Sequence, residues 1–467
     1  MPETKTRSRP KPFVMPQFCK ACGRCIDACP KGCIELGTEI EPLTGFTPIV
    51  LNLDACSGCG LCFSACPEPF GLQPVANEFE TELFDPAKQF GPKPSTAPQP
   101  VAIPDLRVAL PQLEPMILKG NHAAAVGAIL AGCRHFFGYP ITPSTEGAEL
   151  MAKLLPQLDG VFVQAVSEVA TINMMYGCSG AGLHSMSFTS SPGMSLMIEG
   201  ISYMVVAELP AVVVNVMRGG PGLGNIAPEQ ADIKLLCRGL GHGNSHAIVL
   251  APSTPQEMLD ASMLSFELAF KYRNPVVIAG DGYLGQMTGR VSLPEHMVKP
   301  GLPEWAVWGD EMHRGNLISS IYLSEPDLEN HNIHINEKYD RIWANEQRSD
   351  SYFCDDADWI VIACNTPARM AKGAIQQLRE QGAKVGLFRP VTLWPFPINA
   401  LKGLLDHAQG LLVVECSNGQ LEDELRLALS HAGAPSLPIE NLRHFGGILP
   451  SQDEIVAKLR SLVEVAA

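Results

Sequence analysis

The chain has 467 residues, of which 46% are hydrophobic and 18% charged, and this composition excludes a disordered polypeptide. Its length predicts about three domains. With 49 acidic residues against 34 Lys and Arg, the net charge of −15 argues against nucleic-acid binding, which needs a positive surface. The sequence contains no run of about 18 apolar residues and no signal-peptide pattern. We therefore expect a cytoplasmic protein that contacts neither nucleic acid nor membrane.

Cysteine is concentrated at the start of the sequence, where nine of the fifteen cysteines fall within the first 66 residues. Eight of the nine form two copies of the spacing C-x2-C-x2-C-x3-C-P. This spacing is typical of bacterial ferredoxins that hold two 4Fe-4S clusters. A zinc ribbon would instead show two C-x2-C pairs about 15 to 20 residues apart. The first copy contains Cys19, Cys22, Cys25 and Cys29, and the second contains Cys56, Cys59, Cys62 and Cys66.

The dicluster spacing also predicts how the eight ligands are shared. The first three cysteines of each copy hold one cluster, and the fourth cysteine ligates the other cluster. Two neighbouring clusters are suited to transferring one electron at a time. Cys33 lies outside both copies, and we expect it to be a buried thiol without a role. The predicted ligand sets are Cys19, Cys22, Cys25 and Cys66 for one cluster, and Cys56, Cys59, Cys62 and Cys29 for the other.

Beyond the cysteine motifs, the pattern predicts an α/β body. Apolar strands such as Val161–Val166 and Pro210–Met217 alternate with helices, which indicates a mainly parallel sheet. The alternation restarts at Trp359–Cys364. Between the two patterns lies a long segment of little periodicity, which predicts an extended arm that contacts another subunit. The predicted domains are a ferredoxin domain at 1–85, a proline-rich linker at 86–110, a first parallel-sheet domain at 111–300, the arm at 301–352 and a second α/β domain at 353–467.

Three segments of the first parallel-sheet domain place polar or small residues where apolar strands end. They are Gly138–Thr145, Val166–Asn173, which contains Glu168, and Asn215–Asn225, which contains Arg218 and a glycine-rich loop. In open α/β sheets, ligands bind to the loops at the carboxyl ends of the strands. We therefore expect these three segments to form one ligand site.

These segments resemble the thiamine-pyrimidine-domain (alpha-type) subunit of the 2-oxoacid:ferredoxin oxidoreductases, over residues 116–465. The stretches Ser190–Ser195, Val214–Asn225 and Arg389–Pro397 are most similar to the 2-oxoisovalerate (3-methyl-2-oxobutanoate) type. The resemblance implies that the first parallel-sheet domain binds the pyrimidine half of thiamine diphosphate. It also implies that the second α/β domain is like the C-terminal domain of transketolase. A fused ferredoxin domain is a variation, since in many relatives that polypeptide is separate.

The resemblance assigns a role to Glu168, which is similar to the family glutamate that hydrogen-bonds the aminopyrimidine ring of thiamine diphosphate. A carboxyl at that position favours the imino tautomer of the ring, so that the protein supplies position and tautomer bias. Tyr139, Pro140 and Ile141 belong to the loop that the resemblance implies at the cofactor. From the residues alone, Glu168 could equally be a helix N-terminal glutamate that follows a Ser167 cap.

Substrate contacts are implied for Thr142 and Arg218. Thr142 is similar to the family threonine whose hydroxyl faces the substrate, and Arg218 to the arginine that faces the carboxylate of the 2-oxoacid. Guanidinium groups bind carboxylates in a bidentate geometry. From the residues alone, Thr142 between two prolines is a simple turn. Arg218 could also be a structural ion-pair partner of Asp232 or Glu229.

The magnesium site of thiamine enzymes points to a partner chain. That site usually consists of Gly-Asp-Gly followed by an Asn pair, because Mg²⁺ prefers oxygen ligands. Gly280-Asp281-Gly282 is present, but no Asn-Asn pair follows in the sequence, so we interpret Asp281 as a turn residue. We expect a partner subunit to bind magnesium and the diphosphate, and the resemblance implies a gamma-type subunit as well, in a hetero-oligomer.

The activity implied by the resemblance is CoA-dependent oxidative decarboxylation of a 2-oxoacid to acyl-CoA and CO2. Electrons would pass through the 4Fe-4S clusters to ferredoxin or another acceptor. Arg218 is the only basic residue from Asn215 to Ile233, which favours a substrate with a branched or other apolar side chain. 2-Oxoglutarate, pyruvate and aryl-glyoxylates are the alternative substrates. The alternative from another class is a non-catalytic electron-transfer or assembly subunit.

Overall fold

The computed structural model describes residues 9–42, 44–68, 70–75, 100–313 and 315–463. The chain divides into two compact units, Met1–Ala97 and Pro98–Ala467. Residues 86–99 of the predicted linker lie outside the described residues. Among the helices that are described, none combines the length and the apolar character needed to cross a membrane.

The first unit is a small α+β domain with two antiparallel strand pairs. Its two short helices each begin directly after a glycine in the left-handed conformation, Gly23 (φ 76°) and Gly60 (φ 80°). Only glycine adopts this conformation without steric strain. Each turn places the third cysteine of its motif, Cys25 or Cys62, in a buried position on the helix. The elements are β1 (Lys11–Val14), α1 (Arg24–Asp27), β2 (Ile34–Leu36), β3 (Ile49–Leu51), α2 (Leu61–Ala65) and β4 (Leu72–Val75).

The second unit contains a seven-stranded sheet, two separate antiparallel strand pairs and the helices around them. The strands that precede the C-terminal region are β5 (Leu106–Ala109), β6 (Met116–Lys119), β7 (His135–Gly138), β8 (Val161–Gln164), β9 (Ser185–Thr189), β10 (Ala211–Met217), β11 (Ile248–Leu250), β12 (Pro275–Asp281), β13 (Thr288–Val291) and β14 (His296–Lys299). The helices are α3 (Gly120–Leu130), α4 (Thr145–Leu154), α5 (Glu168–Gly180), α6 (Ser191–Val206), α7 (Ile233–Arg238), α8 (Pro255–Tyr272), α9 (Gly282–Gln286) and α10 (Glu325–Asn345).

The C-terminal region adds a second sheet with five strands, in the order β15-β17-β16-β19-β20. All its neighbouring pairs are parallel except β15 with β17. Its elements, together with β18, are β15 (Ser349–Tyr352), β16 (Trp359–Ile362), α11 (Asn365–Glu380), β17 (Val385–Pro390), β18 (Thr392–Trp394), α12 (Ile398–Lys402), β19 (Gly410–Glu415), α13 (Gln420–His431), β20 (Ile439–Arg443) and α14 (Gln452–Leu462).

Strand order in the seven-stranded sheet is β18-β11-β12-β10-β9-β7-β8. Every neighbouring pair is parallel except β18 with β11. The central strand β10 is buried at all seven positions, which fits its valine-rich sequence because a parallel sheet is covered on both faces. Strand β18 comes from the C-terminal region, so that region is not confined to its own sheet. The expected α/β architecture is confirmed.

The predicted arm at 301–352 contains a long helix, so the expectation of an extended segment is wrong for Glu325–Asn345. Ile335, Tyr339 and Ile342 form a narrow apolar face that is buried against the rest of the unit. Such a face is hard to recognise in sequence, because the helix is otherwise rich in Asn, His and Asp, which have low helix propensity. The predicted linker is also too long, since β5 pairs with β14 in an antiparallel ribbon.

Close packing of α3 on α8 gives a test of this fold. A methyl group at Gly127 of α3 would lie 2.4 Å from the carbonyl oxygen of Leu259 in α8. The two helices would have to separate, and such overpacking destabilises a core by about 1–3 kcal/mol. We therefore expect Gly127→Ala to lower the denaturant midpoint of the purified chain. Gly177→Ala is the matched control, because Gly177 is a helical glycine with open space around it. Equal midpoints for the two variants would contradict the helix contact.

Candidate functional site

Two cavities in the first unit are each lined by four of the motif cysteines. Each has an empty volume of about 330 Å³, part of which is open to solvent. The first cavity is lined by Cys19, Cys22, Cys25 and Cys66. The second is lined by Cys29, Cys56, Cys59 and Cys62, with Cys33 as a fifth thiol. Each cavity therefore collects three cysteines from one motif and the fourth cysteine of the other motif, and these thiol-lined spaces fit iron–sulfur clusters.

In the second unit, the polar residues that the sequence singled out lie at the carboxyl edge of the seven-stranded sheet. Strands β7, β8, β9 and β10 are parallel, so their carboxyl ends meet at one edge. Thr142 lies in the loop after β7, Glu168 begins α5 after β8, and Arg218 directly follows β10. The topology therefore brings three distant segments of the sequence to one side of the sheet.

Glu168 is buried, with 4% of its surface exposed, at the N-terminus of α5. Ser167 caps this helix, because its side chain accepts a hydrogen bond from the backbone N–H of Ala170. No described residue donates a hydrogen bond to the Glu168 carboxylate. A methyl group at Gly193 of α6 would lie 2.3 Å from Oε1 of Glu168 and 2.3 Å from Oγ1 of Thr189. Glycine at 193 therefore leaves room for this carboxylate.

Two further buried hydroxyl groups lie at the carboxyl end of β9, on its last residue and on the residue that follows it. Oγ1 of Thr189 and Oγ of Ser190 have no hydrogen-bond partner among the described residues. Buried polar groups are normally hydrogen-bonded, so unpartnered groups beside an unpartnered carboxylate fit a ligand that carries its own donors and acceptors. An aminopyrimidine ring meets that requirement. Sequence reasoning used this serine-rich segment only for its resemblance and did not identify these hydroxyls.

Arg218 is buried, with 8% of its surface exposed, at the end of β10. Its guanidinium donates hydrogen bonds to the carbonyl oxygen of Thr142 (2.6 Å) and to that of Leu223 (3.1 Å). Its Nε is buried and has no partner among the described residues. No carboxylate of those residues forms an ion pair with it, so the alternative ion pair with Asp232 or Glu229 is absent. Asp232 acts on the guanidinium only through space, and a buried cation without a paired anion is costly unless a ligand supplies one.

Asp232 and Glu229 instead hold the loops around Arg218. Asp232 accepts hydrogen bonds from the Ser191 hydroxyl (2.6 Å) and from the Asn215 side chain (2.8 Å). Burial raises the pKa of Asp232, while these two hydrogen bonds and the positive charge of Arg218 act in the opposite direction. Glu229 accepts from the backbone N–H of Gly220 and of Gly446, and burial raises its pKa. Both carboxylates therefore already have protein partners.

The loop after β7 presents its other residues to solvent. Tyr139, Pro140 and Thr142 are exposed, and Ile141 is half-buried. The carbonyl oxygen of Ile141 accepts hydrogen bonds from the backbone and the hydroxyl of Ser144, which fixes the turn before α4. The loop is therefore anchored at its base and open at its surface.

Asp281 ends β12 and caps the short helix α9. Its Oδ1 accepts hydrogen bonds from the backbone N–H of Leu284 and the Thr366 hydroxyl, and its Oδ2 accepts one from the Thr366 backbone N–H, all at 2.8 Å. The side chain is 1% exposed. Both carboxylate oxygens are therefore engaged by donors of the protein.

Three family models match the chain. Residues 126–311 match the thiamine diphosphate-binding domain of pyruvate flavodoxin/ferredoxin oxidoreductase, and residues 357–455 match core domain II of pyruvate:ferredoxin oxidoreductase. Residues 18–69 match a 4Fe-4S dicluster domain. The fused dicluster domain expected from the cysteine spacing is confirmed.

Relatives of known name cover most of the chain. The ketoisovalerate oxidoreductase subunit VorB of Methanothermobacter thermautotrophicus is 44% identical over 348 residues, which are 74% of this chain and 97% of that protein. The 2-oxoglutarate synthase subunit KorA of the same organism is 34% identical, over 73% of this chain and 97% of that protein. A solved 2-oxoglutarate:ferredoxin oxidoreductase from Magnetococcus marinus, with 2-oxoglutarate, coenzyme A and succinyl-CoA bound, is 27% identical with a TM-score of 0.67, over 82% of this chain and 70% of that one.

The fold and the matched domains define an oxidoreductase subunit that uses thiamine diphosphate and 4Fe-4S clusters. The chain belongs to the 2-oxoacid:ferredoxin oxidoreductase family. It is an enzyme subunit that acts with partner subunits, as its relatives do. The expected family and enzyme class are therefore confirmed.

Proposed function

We propose that this chain carries the pyrimidine half of the thiamine site in a cytoplasmic complex that oxidatively decarboxylates a branched-chain 2-oxoacid to an acyl-CoA. The observation that supports this most directly is the buried guanidinium of Arg218, which lacks a carboxylate partner among the described residues and lies against the loop of Thr142. A 2-oxoacid brings the missing negative charge. At the same edge of the sheet, the unpartnered carboxylate of Glu168 would be the hydrogen-bond acceptor for the aminopyrimidine ring of the cofactor.

Glu168 is the catalytic residue of this proposal that acts on the cofactor. Its carboxylate would accept a hydrogen bond from the aminopyrimidine ring of thiamine diphosphate and would favour the tautomer of the ring that can take up a proton. Thiamine diphosphate supplies electron-sink chemistry at the carbonyl carbon of the substrate when it is bound. Tyr139, Pro140 and Ile141 form the wall of the loop beside the cofactor.

Arg218 and Thr142 recognise the substrate in this proposal. The Arg218 guanidinium is held by two carbonyl oxygens and still has an unpaired Nε–H, so that one edge remains for the substrate carboxylate. Thr142 is exposed beside it, where its hydroxyl can donate to the oxo group. The two residues would orient a 2-oxoacid by its two polar groups and leave its side chain to the surrounding loops.

The substrate side chain is proposed to be branched and apolar. Leu223 and Ile226 expose apolar side chains in the glycine-rich loop after Arg218, and no second basic residue is present from Asn215 to Ile233. A second carboxylate, as in 2-oxoglutarate, would lack a partner in this loop. The relative of 44% identity that is named for ketoisovalerate favours the same choice.

In the first unit, we propose that each thiol-lined cavity holds one 4Fe-4S cluster. The ligands would be Cys19, Cys22, Cys25 and Cys66 in one cavity and Cys29, Cys56, Cys59 and Cys62 in the other. The clusters accept electrons one at a time and pass them to ferredoxin or another external acceptor. Coenzyme A would take the acyl group.

Partner subunits complete the proposed site. The two oxygens of Asp281 are engaged by Leu284 and Thr366, so this carboxylate is not free to bind magnesium. We therefore propose that a diphosphate- and magnesium-binding subunit docks at the carboxyl edge of the seven-stranded sheet, and that a gamma-type subunit joins the hetero-oligomer.

The role of Glu168 predicts the effect of two substitutions. Glu168→Gln removes the charge, and Gly193→Ala displaces the carboxylate by placing a methyl group against it. We expect each to lower kcat of the purified complex at least about 100-fold, since a positioned acid–base group contributes 10²–10⁴-fold. Turnover is measured as viologen reduction with excess thiamine diphosphate. Gly177→Ala in the same helix as Glu168 is the control and should keep full activity. Undiminished turnover of Glu168→Gln would favour the non-catalytic assembly role.

Substrate recognition by Arg218 predicts a pattern across several 2-oxoacids. We expect the highest kcat/KM for 3-methyl-2-oxobutanoate, followed by pyruvate, aryl-glyoxylates and 2-oxoglutarate. Arg218→Gln should raise KM for every 2-oxoacid by about 10- to 100-fold, because all share the carboxylate and a hydrogen bond to a charged group contributes about 1.5–3 kcal/mol.

The control for Arg218 is Arg134, which also donates to two carbonyl oxygens, those of Ile129 and Cys133, but precedes β7 at the opposite edge of the sheet. Arg134→Gln should leave KM unchanged. A preference for 2-oxoglutarate would overturn the proposed substrate class. An unchanged KM in Arg218→Gln would overturn the proposed carboxylate contact.

The missing magnesium ligands predict that this chain is inactive by itself. With thiamine diphosphate, Mg²⁺, coenzyme A and substrate, the isolated chain should reduce no viologen, whereas the native complex should be active. Mass spectrometry of the purified complex identifies the accompanying subunits. Full activity of the isolated chain would refute the proposal that a partner supplies the diphosphate site.

A further inference from the structure

Cys33, which the motifs do not use, lies against one of the proposed cluster ligands. Its Sγ is 3.3 Å from Sγ of Cys29. It is 5% exposed and lines the same cavity as Cys29, Cys56, Cys59 and Cys62. Cys33 is buried, as expected, and its thiol contacts a proposed ligand.

The position of Cys33 is fixed by the β2–β3 hairpin. Cys33 directly precedes β2, and its carbonyl oxygen accepts a hydrogen bond from the backbone N–H of Asn52 at 2.9 Å. It packs in the core of the first unit beside Ile34 and Ile49. The backbone of Cys33 is therefore fixed at the start of β2, and its thiol is buried in that core.

This fifth thiol breaks the symmetry of the two motifs. Cys33 lies four residues after the last cysteine of the first motif, and the equivalent position of the second motif is Phe70. No fifth cysteine lines the cavity of Cys19, Cys22, Cys25 and Cys66 in the described part of the unit. The two cavities are otherwise of equal volume. The duplicated sequence thus gives two sites that differ by one thiol.

We propose that Cys33 is a positioning residue that donates an S–H···S hydrogen bond to Cys29 and thereby makes the cluster of its cavity easier to reduce than that cluster would be without it. This inference rests on the proposed cluster ligands. As a ligand, Cys29 is a thiolate and has no proton, so the proton between the two sulfurs belongs to Cys33. Reduction adds one electron and breaks no bond. The added negative charge spreads onto the ligand sulfurs, where a hydrogen-bond donor stabilises it.

The consequence for electron flow is directional. Two clusters of the same type and similar surroundings would have similar potentials, and an electron would have little preference between them. A donor at one cluster only makes that cluster the better acceptor. Cys33 would therefore bias electrons toward the cavity of Cys56, Cys59 and Cys62.

The test is an anaerobic redox titration of the full-length chain, followed by electron paramagnetic resonance, in three variants. Cys33→Ala and Cys33→Val both remove the donor, but the first leaves space and the second is slightly larger than cysteine. Cys33→Ser keeps a donor. In both Cys33→Ala and Cys33→Val, we expect the midpoint potential of one of the two reduction waves to fall by at least about 59 mV. For one electron, this shift corresponds to a tenfold change in the reduction equilibrium. The serine variant should stay near the parent.

Cys59→Ser identifies the wave of this cavity, because it changes a proposed ligand there. Cys237→Ala, at a buried cysteine of the α/β body, is the control and should move neither wave. Two waves that are unchanged in all three Cys33 variants would overturn the proposal while leaving the cluster ligands intact. Midpoint potentials that shift in opposite directions in Cys33→Ala and Cys33→Val would also overturn it. Such a result would show that the shifts arise from the change in side-chain size and not from loss of the donor. An iron content of the unsubstituted chain that is too low for two 4Fe-4S clusters would overturn the ligand assignment and this inference with it.

Discussion

Parallel pairing of β7, β8, β9 and β10 is the constraint on which the rest of the site depends. Because these strands run in one direction, their carboxyl ends open at the same edge, and the residues that follow them become neighbours. The contact of Arg218 with the carbonyl oxygen of Thr142 spans 76 residues of sequence. Any other register or direction of β10 would remove the guanidinium from this loop.

The same edge combines rigid support with unsatisfied polar groups. Asp232 and Glu229 are occupied by protein donors and hold the loops, whereas Glu168 and the Arg218 Nε–H lack protein partners among the described residues. Buried groups of this kind destabilise a protein unless a ligand satisfies them. These groups are what the proposed ligands would satisfy, and Gly193 leaves room for the Glu168 carboxylate among them.

Electron transfer belongs to the first unit, where a duplicated motif forms two cavities of the same size. The duplication explains why each cavity takes its fourth cysteine from the other motif, since the last cysteine of each run lies beyond its short helix. The two copies differ at the position four residues after their last cysteine, which is Cys33 in the first copy and Phe70 in the second. This difference makes the two cavities unequal. A similar fold can therefore hold two clusters in unequal environments.

The dicluster motif, the alternation of strands and helices, and the polar segments at the strand ends could all be recognised in the sequence, because each is a local pattern of neighbouring residues. The sequence did not reveal helix α10, whose apolar face is narrow, nor the pairing of β18 with β11 across the C-terminal region. It also left open whether Arg218 forms an ion pair, how closely α6 approaches Glu168, and which thiol Cys33 touches. These features follow from the folded chain, because contacts between side chains distant in sequence depend on strand order, register and helix packing.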